Sequence, residues 1–247
     1  MSGRGEVRVY ADAAALGRAT AELFAETVRA AVAESGRCGV LLAGGETPRR
    51  AYELLAEEPL AGSVPWPRVH FFWGDERCLP AGDPRRNETM ARRALLDRVP
   101  VMPDQVHAID CAAAPEQAAA DYAERMRRFF GESLPRFDLA LLGLGDDGHT
   151  ASLLPDSTAL GERQCWTAVA GRTEEPFVRV TLTAPLLNRA RTTVFLVSGQ
   201  GKAEMLRAAL AGERPSLPVH LIRPEGRLLW LVDREAASLS GAVGAAG

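Results

Sequence analysis

The sequence predicts an α/β protein with a three-layer, mostly parallel, doubly wound (Rossmann-like) sheet. Three observations predict it. Short apolar runs alternate with helix-like segments along the chain, the pattern of repeated βαβ units. Some runs, such as Leu139 to Leu142, are apolar at every position, which suits a strand buried on both faces of a parallel sheet. Four runs end in polar, glycine-bearing loops, and ligands bind just beyond the carboxyl ends of such strands. With no internal repeat and no long linker, residues 1–247 are expected to form a single domain.

Val7 to Tyr10 is a short strand candidate, and the alanine-rich, amphipathic residues 12–34 follow as a helix. Cys38 to Ala43 reads as a strand, then GGETP and a helix from about Arg49. Val69 to Trp73 is a strand ending in GDERCLP, and residues 87–97 are expected to be helical. Val106 to Ile109 is a further short strand candidate, followed by a helix over 115–130. After Leu139 to Leu142 come two β-rich runs, Trp166 to Ala170 and Phe177 to Leu182. Thr192 to Val197 leads into SGQGK and a helix, and Leu228 to Val232 closes the alternation. The tail SLSGAVGAAG is small and flexible in composition and is expected to carry no site.

Composition excludes several classes. Hydrophobic residues are 47% and charged residues 25% of the chain, ordinary for a globular protein. A net charge of -3 argues against a nucleic-acid partner, which demands a basic surface. No apolar run approaches a membrane span, and MSGRGEVRVY has no apolar signal core, so a cytoplasmic protein without a membrane partner is expected. A monomer or small homo-oligomer is expected. Cys38, Cys78, Cys111 and Cys165 form no CxxC pair, and reduced thiols are the expectation. Lys202 is the single lysine against 28 arginines. A lysine that survives such a bias hints at a site where a planar guanidinium cannot replace a compact ammonium.

Each strand-end loop has two readings. Gly44-Gly45-Glu46-Thr47-Pro48 offers backbone N–H groups, a hydroxyl and a helix N-terminus to an anion, or is a plain strand-to-helix turn. It lacks the lysine of a P-loop. Asp75 and Arg77, in the acidic and basic stretch after Trp73, are active-site groups or part of a salt-bridged turn. Gly143 to Gly148 satisfies GxGxxG, but lies mid-chain with Pro155 close behind, so a dinucleotide site is not expected. His149, unlike His70, His107 and His220, which lie in apolar strand-like runs, sits in a loop of small polar residues, with Asp147 two positions before it. It is a candidate base held by a carboxylate, or a histidine that orders its loop. Arg179 and Lys202 flank β-rich segments, where cations are most often solvated. One histidine with scattered aspartates does not make a metal site, so neither metal nor cofactor is expected.

The stretch FDLALLGLGDDGHTASLLP, with WGDER and SGQGK in order around it, resembles the 6-phosphogluconolactonase family. That family belongs to a superfamily of sugar-phosphate isomerases that includes glucosamine-6-phosphate deaminase. The resemblance runs over nearly the whole chain, from GGETP to SGQGK. It implies the superfamily's fold and hydrolysis of 6-phosphogluconolactone in the oxidative pentose phosphate pathway. It implies His149 as the base, Asp147 as its orienting partner, and Asp75 as a group that positions the base or the sugar hydroxyls. Arg77 or backbone N–H groups would meet the oxyanion. Gly44, Gly45, Thr47, Arg179 and Lys202 would hold the phosphate, and Asn87 resembles a further substrate contact. The chain departs from the pattern at Glu46, where the family usually has serine. Deaminases carry a glutamate shortly after DGH; here the matching stretch is Ser152-Leu153-Leu154-Pro155. The alternatives are an isomerase or deaminase of amino-sugar phosphates, and a non-catalytic sugar-phosphate sensor.

Overall fold

The computed structural model describes residues 5–112, 114–131, 134–172 and 174–241. In chain order the strands are β1 (Glu6–Tyr10), β2 (Cys38–Leu42), β3 (Val69–Trp73), β4 (Asp75–Arg77), β5 (Leu139–Gly143), β6 (Thr167–Gly171), β7 (Val178–Leu182), β8 (Thr192–Val197) and β9 (Arg227–Asp233). The α-helices are α1 (Ala13–Ser35), α2 (Glu46–Leu55), α3 (Leu60–Ser63), α4 (Asn87–Ala91), α5 (Pro115–Phe130), α6 (Ala184–Leu187), α7 (Ala203–Ala211) and α8 (Arg234–Ala237).

Six strands form a fully parallel sheet in the order β1-β9-β8-β5-β2-β3. The reason lies in the side chains: every residue of β2 is buried, as are Val194 to Val197 of β8 and Leu229 to Asp233 of β9. Helix α1 is set by Asp12, whose carboxylate accepts from Ala15 N–H at 2.8 Å, and it buries a stripe of Leu16, Thr20, Phe24 and Val28. From β2 the chain steps outward to β3, whereas β5, β8 and β9 extend the sheet the other way. The strand order therefore reverses between β2 and β5, and a crevice opens at their carboxyl ends.

Two buried tyrosines fasten that end of the sheet. Tyr52 of α2 accepts from Ala43 N–H and donates to Ala43 C=O, both at 3.0 Å. Tyr122 of α5 does the same for Trp73, at 2.8 and 2.9 Å. Each hydroxyl satisfies a peptide where its strand gives way to loop.

Several expectations are corrected. A second sheet, antiparallel and ordered β4-β7-β6, covers the carboxyl end of the first. GDERCLP, read as a loop, thus contains a strand, Asp75–Arg77. The helix expected from about Arg49 begins at Glu46. The helix expected over 87–97 is α4 followed by a π-helical turn, Arg92–Leu96. Val106 to Ile109 makes a single bridge, Phe71 to Val106, instead of a strand. A 3₁₀ turn, Pro103–Gln105, precedes it, and the Ile109 carbonyl accepts from Arg86 rather than from a neighbouring strand. His220 lies in a 3₁₀ turn, Pro218–Leu221, not in a strand-like run. The four cysteines are not all reduced: Cys78 and Cys111 form a disulfide, with Cα atoms 5.0 Å apart. Thirty-three positions separate them, and only the fold brings them together. Cys38 and Cys165 remain free. Residues 242–247 of the tail lie outside the described residues.

Candidate active site

Loops from four neighbouring strands, β8, β5, β2 and β3, line one cavity of about 260 Å³. Gly44 and Gly45 come from the loop after β2, and Asp75 and Arg77 from β4, one residue beyond β3. The loop after β5 supplies Asp146 and His149, and the turn after β8 supplies Lys202. Asn87 of α4 and Arg179 of β7 complete the wall. Of the ten residues singled out from sequence, only Thr47 and Asp147 are absent from the lining. Thr47 is half-buried in the first turn of α2, and Asp147 stands behind His149.

The β5 loop folds around His149. Gly145 donates its N–H to the His149 carbonyl at 2.8 Å. A Cβ on Gly145 would fall 2.0 Å from His149 Nδ1, so the imidazole packs where only glycine leaves room. Asp147 Oδ1 lies 2.5 Å from His149 Nδ1 and accepts from the His149 backbone N–H at 3.1 Å. Nδ1–H toward the carboxylate leaves Nε2 as the ring's acceptor. Asp147 Oδ2 accepts a short hydrogen bond from Arg172, whose Nη2 is 3.3 Å from His149 Nδ1. Burial pushes the Asp147 carboxyl upward, but the hydrogen bonds from Arg172 and His149 outweigh it and hold it below the usual carboxylate range.

The second sheet delivers two of the cations. Pairing of β4 with β7 sets Arg77 directly opposite Arg179. Arg77 Nη1 donates to the Arg85 carbonyl at 2.5 Å, whereas its Nε is buried with no partner among the described residues. Arg179 is 9% exposed and is gripped by Glu175 through both carboxylate oxygens, at 2.6 to 3.0 Å. Lys202 Nζ meets Asp146 Oδ1 at 2.5 Å. Two of the three cations are therefore held by carboxylates with which an anionic ligand competes. Glu46 pairs with Arg49 along its own helix and does not line the cavity.

Asp75, Asn87 and Gly44 form the remaining wall. Asp75 Oδ2 accepts from Ser152 Oγ at 2.5 Å, and Asn87 Nδ2 donates to the Asp75 carbonyl at 2.9 Å. Asp75 makes no hydrogen bond to His149 among the described residues. Asn87 comes so near Gly44 that a Cβ there would fall 1.8 Å from its Oδ1.

Sequence reasoning missed two residues behind this wall. Glu76, 1% exposed, accepts from the backbone N–H groups of Arg77, Asn87 and Glu88, each at 2.8 Å. It caps α4 from outside, and burial pushes its carboxyl up to about 6 against those donors. Arg172 is the other, and its only sequence signal was a cation two residues past Ala170, in a turn between two β-rich runs.

A crevice at a strand-order reversal, with cations on one side and a carboxylate-held histidine on the other, defines an α/β protein for small anions on which a proton is moved. The family described as "Glucosamine-6-phosphate isomerases/6-phosphogluconolactonase" matches residues 11–230, and the chain belongs to it. A 6-phosphogluconolactonase of Synechocystis sp. is 43% identical, over 83% of this chain and 86% of that protein. The Homo sapiens 6-phosphogluconolactonase is 38% identical, over 95% and 93%. Among solved structures, 6-phosphogluconolactonase from Trypanosoma brucei is similar with a TM-score of 0.84 and 30% identity, over 95% of this chain and 98% of that one. A monomeric glucosamine-6-phosphate deaminase shares the fold, with a TM-score of 0.81 at 21% identity, over 95% and 99%.

Proposed function

We propose that the chain hydrolyses 6-phospho-D-glucono-1,5-lactone to 6-phospho-D-gluconate, the lactone step of the oxidative pentose phosphate pathway. Relatives named 6-phosphogluconolactonase in cyanobacteria and mammals support this over most of the chain's length. The observation that carries the site assignment is one cavity holding His149, its Nδ1 engaged by Asp147, together with Arg77, Arg179 and Lys202.

In this reading the substrate's phosphate is met by Arg179, Lys202 and the backbone N–H groups of Gly44 and Gly45, with Thr47 at the helix N-terminus beside them. A remote anchor of this kind fixes where the lactone carbonyl lies. His149 Nε2 takes a proton from water as the water oxygen bonds to C1. Asp147 holds the ring and stabilises the imidazolium. The carbonyl electrons move onto the oxyanion, which Arg77 or backbone N–H groups of the cavity wall would meet. Collapse of the intermediate breaks the bond from C1 to the ring oxygen, and His149 returns the proton to that oxygen. The products are a hydroxyl and a carboxylate, with one proton released to solvent. Asp75 and Asn87 face the sugar hydroxyls. No step calls for a metal or cofactor. Among the described residues no three His, Cys, Asp or Glu side chains are grouped to hold a metal ion.

Deamination of an amino-sugar phosphate is disfavoured by the β5 loop. Leu153 and Leu154 are buried in the core, and neither can relay a proton. We place the protein in the cytoplasm; no helix among the described residues is long and apolar enough to cross a membrane. Proton release from freshly made 6-phosphogluconolactone, followed with a pH indicator, tests the assignment. Acceleration far above spontaneous hydrolysis is expected, and none would refute it.

A further inference from the structure

Arg172 belongs to neither the cavity lining nor any motif of the sequence, yet its guanidinium reaches the catalytic pair from a different element. It follows the last residue of β6, in the connection to β7. Its Nη2 donates to Asp147 Oδ2 and stands 3.3 Å from His149 Nδ1. Asp147 Oδ1 is occupied on the opposite side by the His149 ring and backbone. One carboxylate is thus spanned between a base and a permanent cation.

We propose that Arg172 is a positioning residue for the reaction, which locks Asp147 against His149 and keeps the imidazole unprotonated between turnovers. The inference rests on the reading of His149 as the base.

Two physical arguments carry it. The first is geometric. Asp147 lies in a loop with glycines at 143, 145 and 148, whose backbone alone cannot fix a carboxylate. A guanidinium from the second sheet supplies the missing constraint, and a planar fork loses less freedom per hydrogen bond than an ammonium does. The second is electrostatic. A lone aspartate beside a histidine favours the imidazolium, which is useless for taking a proton from water. A fixed positive charge within 4 Å of the ring offsets that attraction. It also makes the imidazolium, once formed, readier to return its proton to the leaving oxygen. Around the same cavity stand Asp146 on the base's own loop, Asp75 and Arg77 on β4, Arg179 on β7 and Lys202 after β8. Of these, Asp146 is neutralised by Lys202 and Arg179 by Glu175, so Arg172 is the cation in direct contact with the pair. Glu174 approaches Arg172 only to 3.8 Å from the solvent side.

The test compares wild type with Arg172→Gln and Arg172→Lys. Arg172→Gln should lower kcat by about 10- to 100-fold with KM within about threefold, because Arg172 does not reach the substrate cavity. The acid limb of its pH–rate profile should move to higher pH, and Arg172→Lys should restore much of that position but less of the rate. A purely structural role would lower the active fraction without moving the limb. NMR titration of the His149 ring gives the same comparison without substrate, so it stands even if the lactone is not turned over. An unchanged ring titration together with an unmoved acid limb in Arg172→Gln would overturn the proposal.

Discussion

At the scale of single residues, His149 and Lys202 carry the account, and each fails in its own way when changed. His149→Ala should lower turnover by about 10²–10⁴-fold, the usual worth of a positioned base, while phosphate affinity is kept. Kinetics beside inorganic-phosphate competition would show it; a variant retaining more than half the wild-type rate removes His149 from the mechanism. Lys202→Arg keeps the charge but replaces a point donor that Asp146 meets at 2.5 Å with a wider fork. A raised KM for the phosphorylated lactone is expected, with near-normal kcat, and an unchanged KM would dissociate Lys202 from the phosphate. His149, Asp147, Arg77 and Lys202 were legible as candidates because polar groups at strand ends stand out from apolar runs, whereas Arg179, within β7, was pointed to only by the family resemblance. Arg172 and Glu76 were not legible. Arg172 acts across a gap of 25 positions and Glu76 through backbone N–H groups, and neither kind of contact leaves a local pattern.

At the scale of elements, the site is only as rigid as the strand ends that hold it. Tyr52→Phe would leave the Ala43 N–H and C=O buried without their shared partner. The expected cost is about 1–3 kcal/mol by urea unfolding, with a matching rise in KM because Gly44 and Gly45 follow Ala43 directly. A stability change below measurement error would deny Tyr52 that role. At the outer edge of the sheet, His107 Nε2 lies 3.1 Å from His70 Nδ1, and the ring stacks on Phe72 with centroids 4.2 Å apart. Burial, then the His70 charge, depress His107 to about 4. The unfolded chain takes up this proton near pH 6.5 and the folded chain only near 4. The contribution is therefore complete above pH 6.5 and is lost as pH falls through that window. Solvent screening at a half-buried ring keeps the loss to on the order of 1–2 kcal/mol. His107→Phe should flatten the acid side of the stability profile, and an unaltered slope would assign the effect elsewhere. The alternation of strand and helix was readable because parallel strands must be apolar throughout. The second sheet was not. Its strand β4 pairs Asp75 with Thr181 and Arg77 with Arg179, and nothing in GDER separates a strand from a turn until β7 lies beside it.

At the scale of the whole molecule, the claim is that phosphate anchor and base share one cavity because the strand order reverses there. The family match and the fold agree on the superfamily; in the proposed reading the chemistry within it is decided by what the β5 loop holds, a histidine backed by aspartate and met by Arg172 from beyond β6, with leucines where a further proton relay would stand. The most direct measurement is a side-by-side determination of kcat/KM for 6-phosphogluconolactone, unphosphorylated gluconolactone and glucosamine 6-phosphate, in wild type and His149→Ala. The account predicts fast proton release from the phosphorylated lactone, at least 100-fold weaker use of gluconolactone on the order of a lost charged anchor, and no ammonia from the amino sugar. Equal use of the two lactones, or steady ammonia release that disappears with His149, would contradict it.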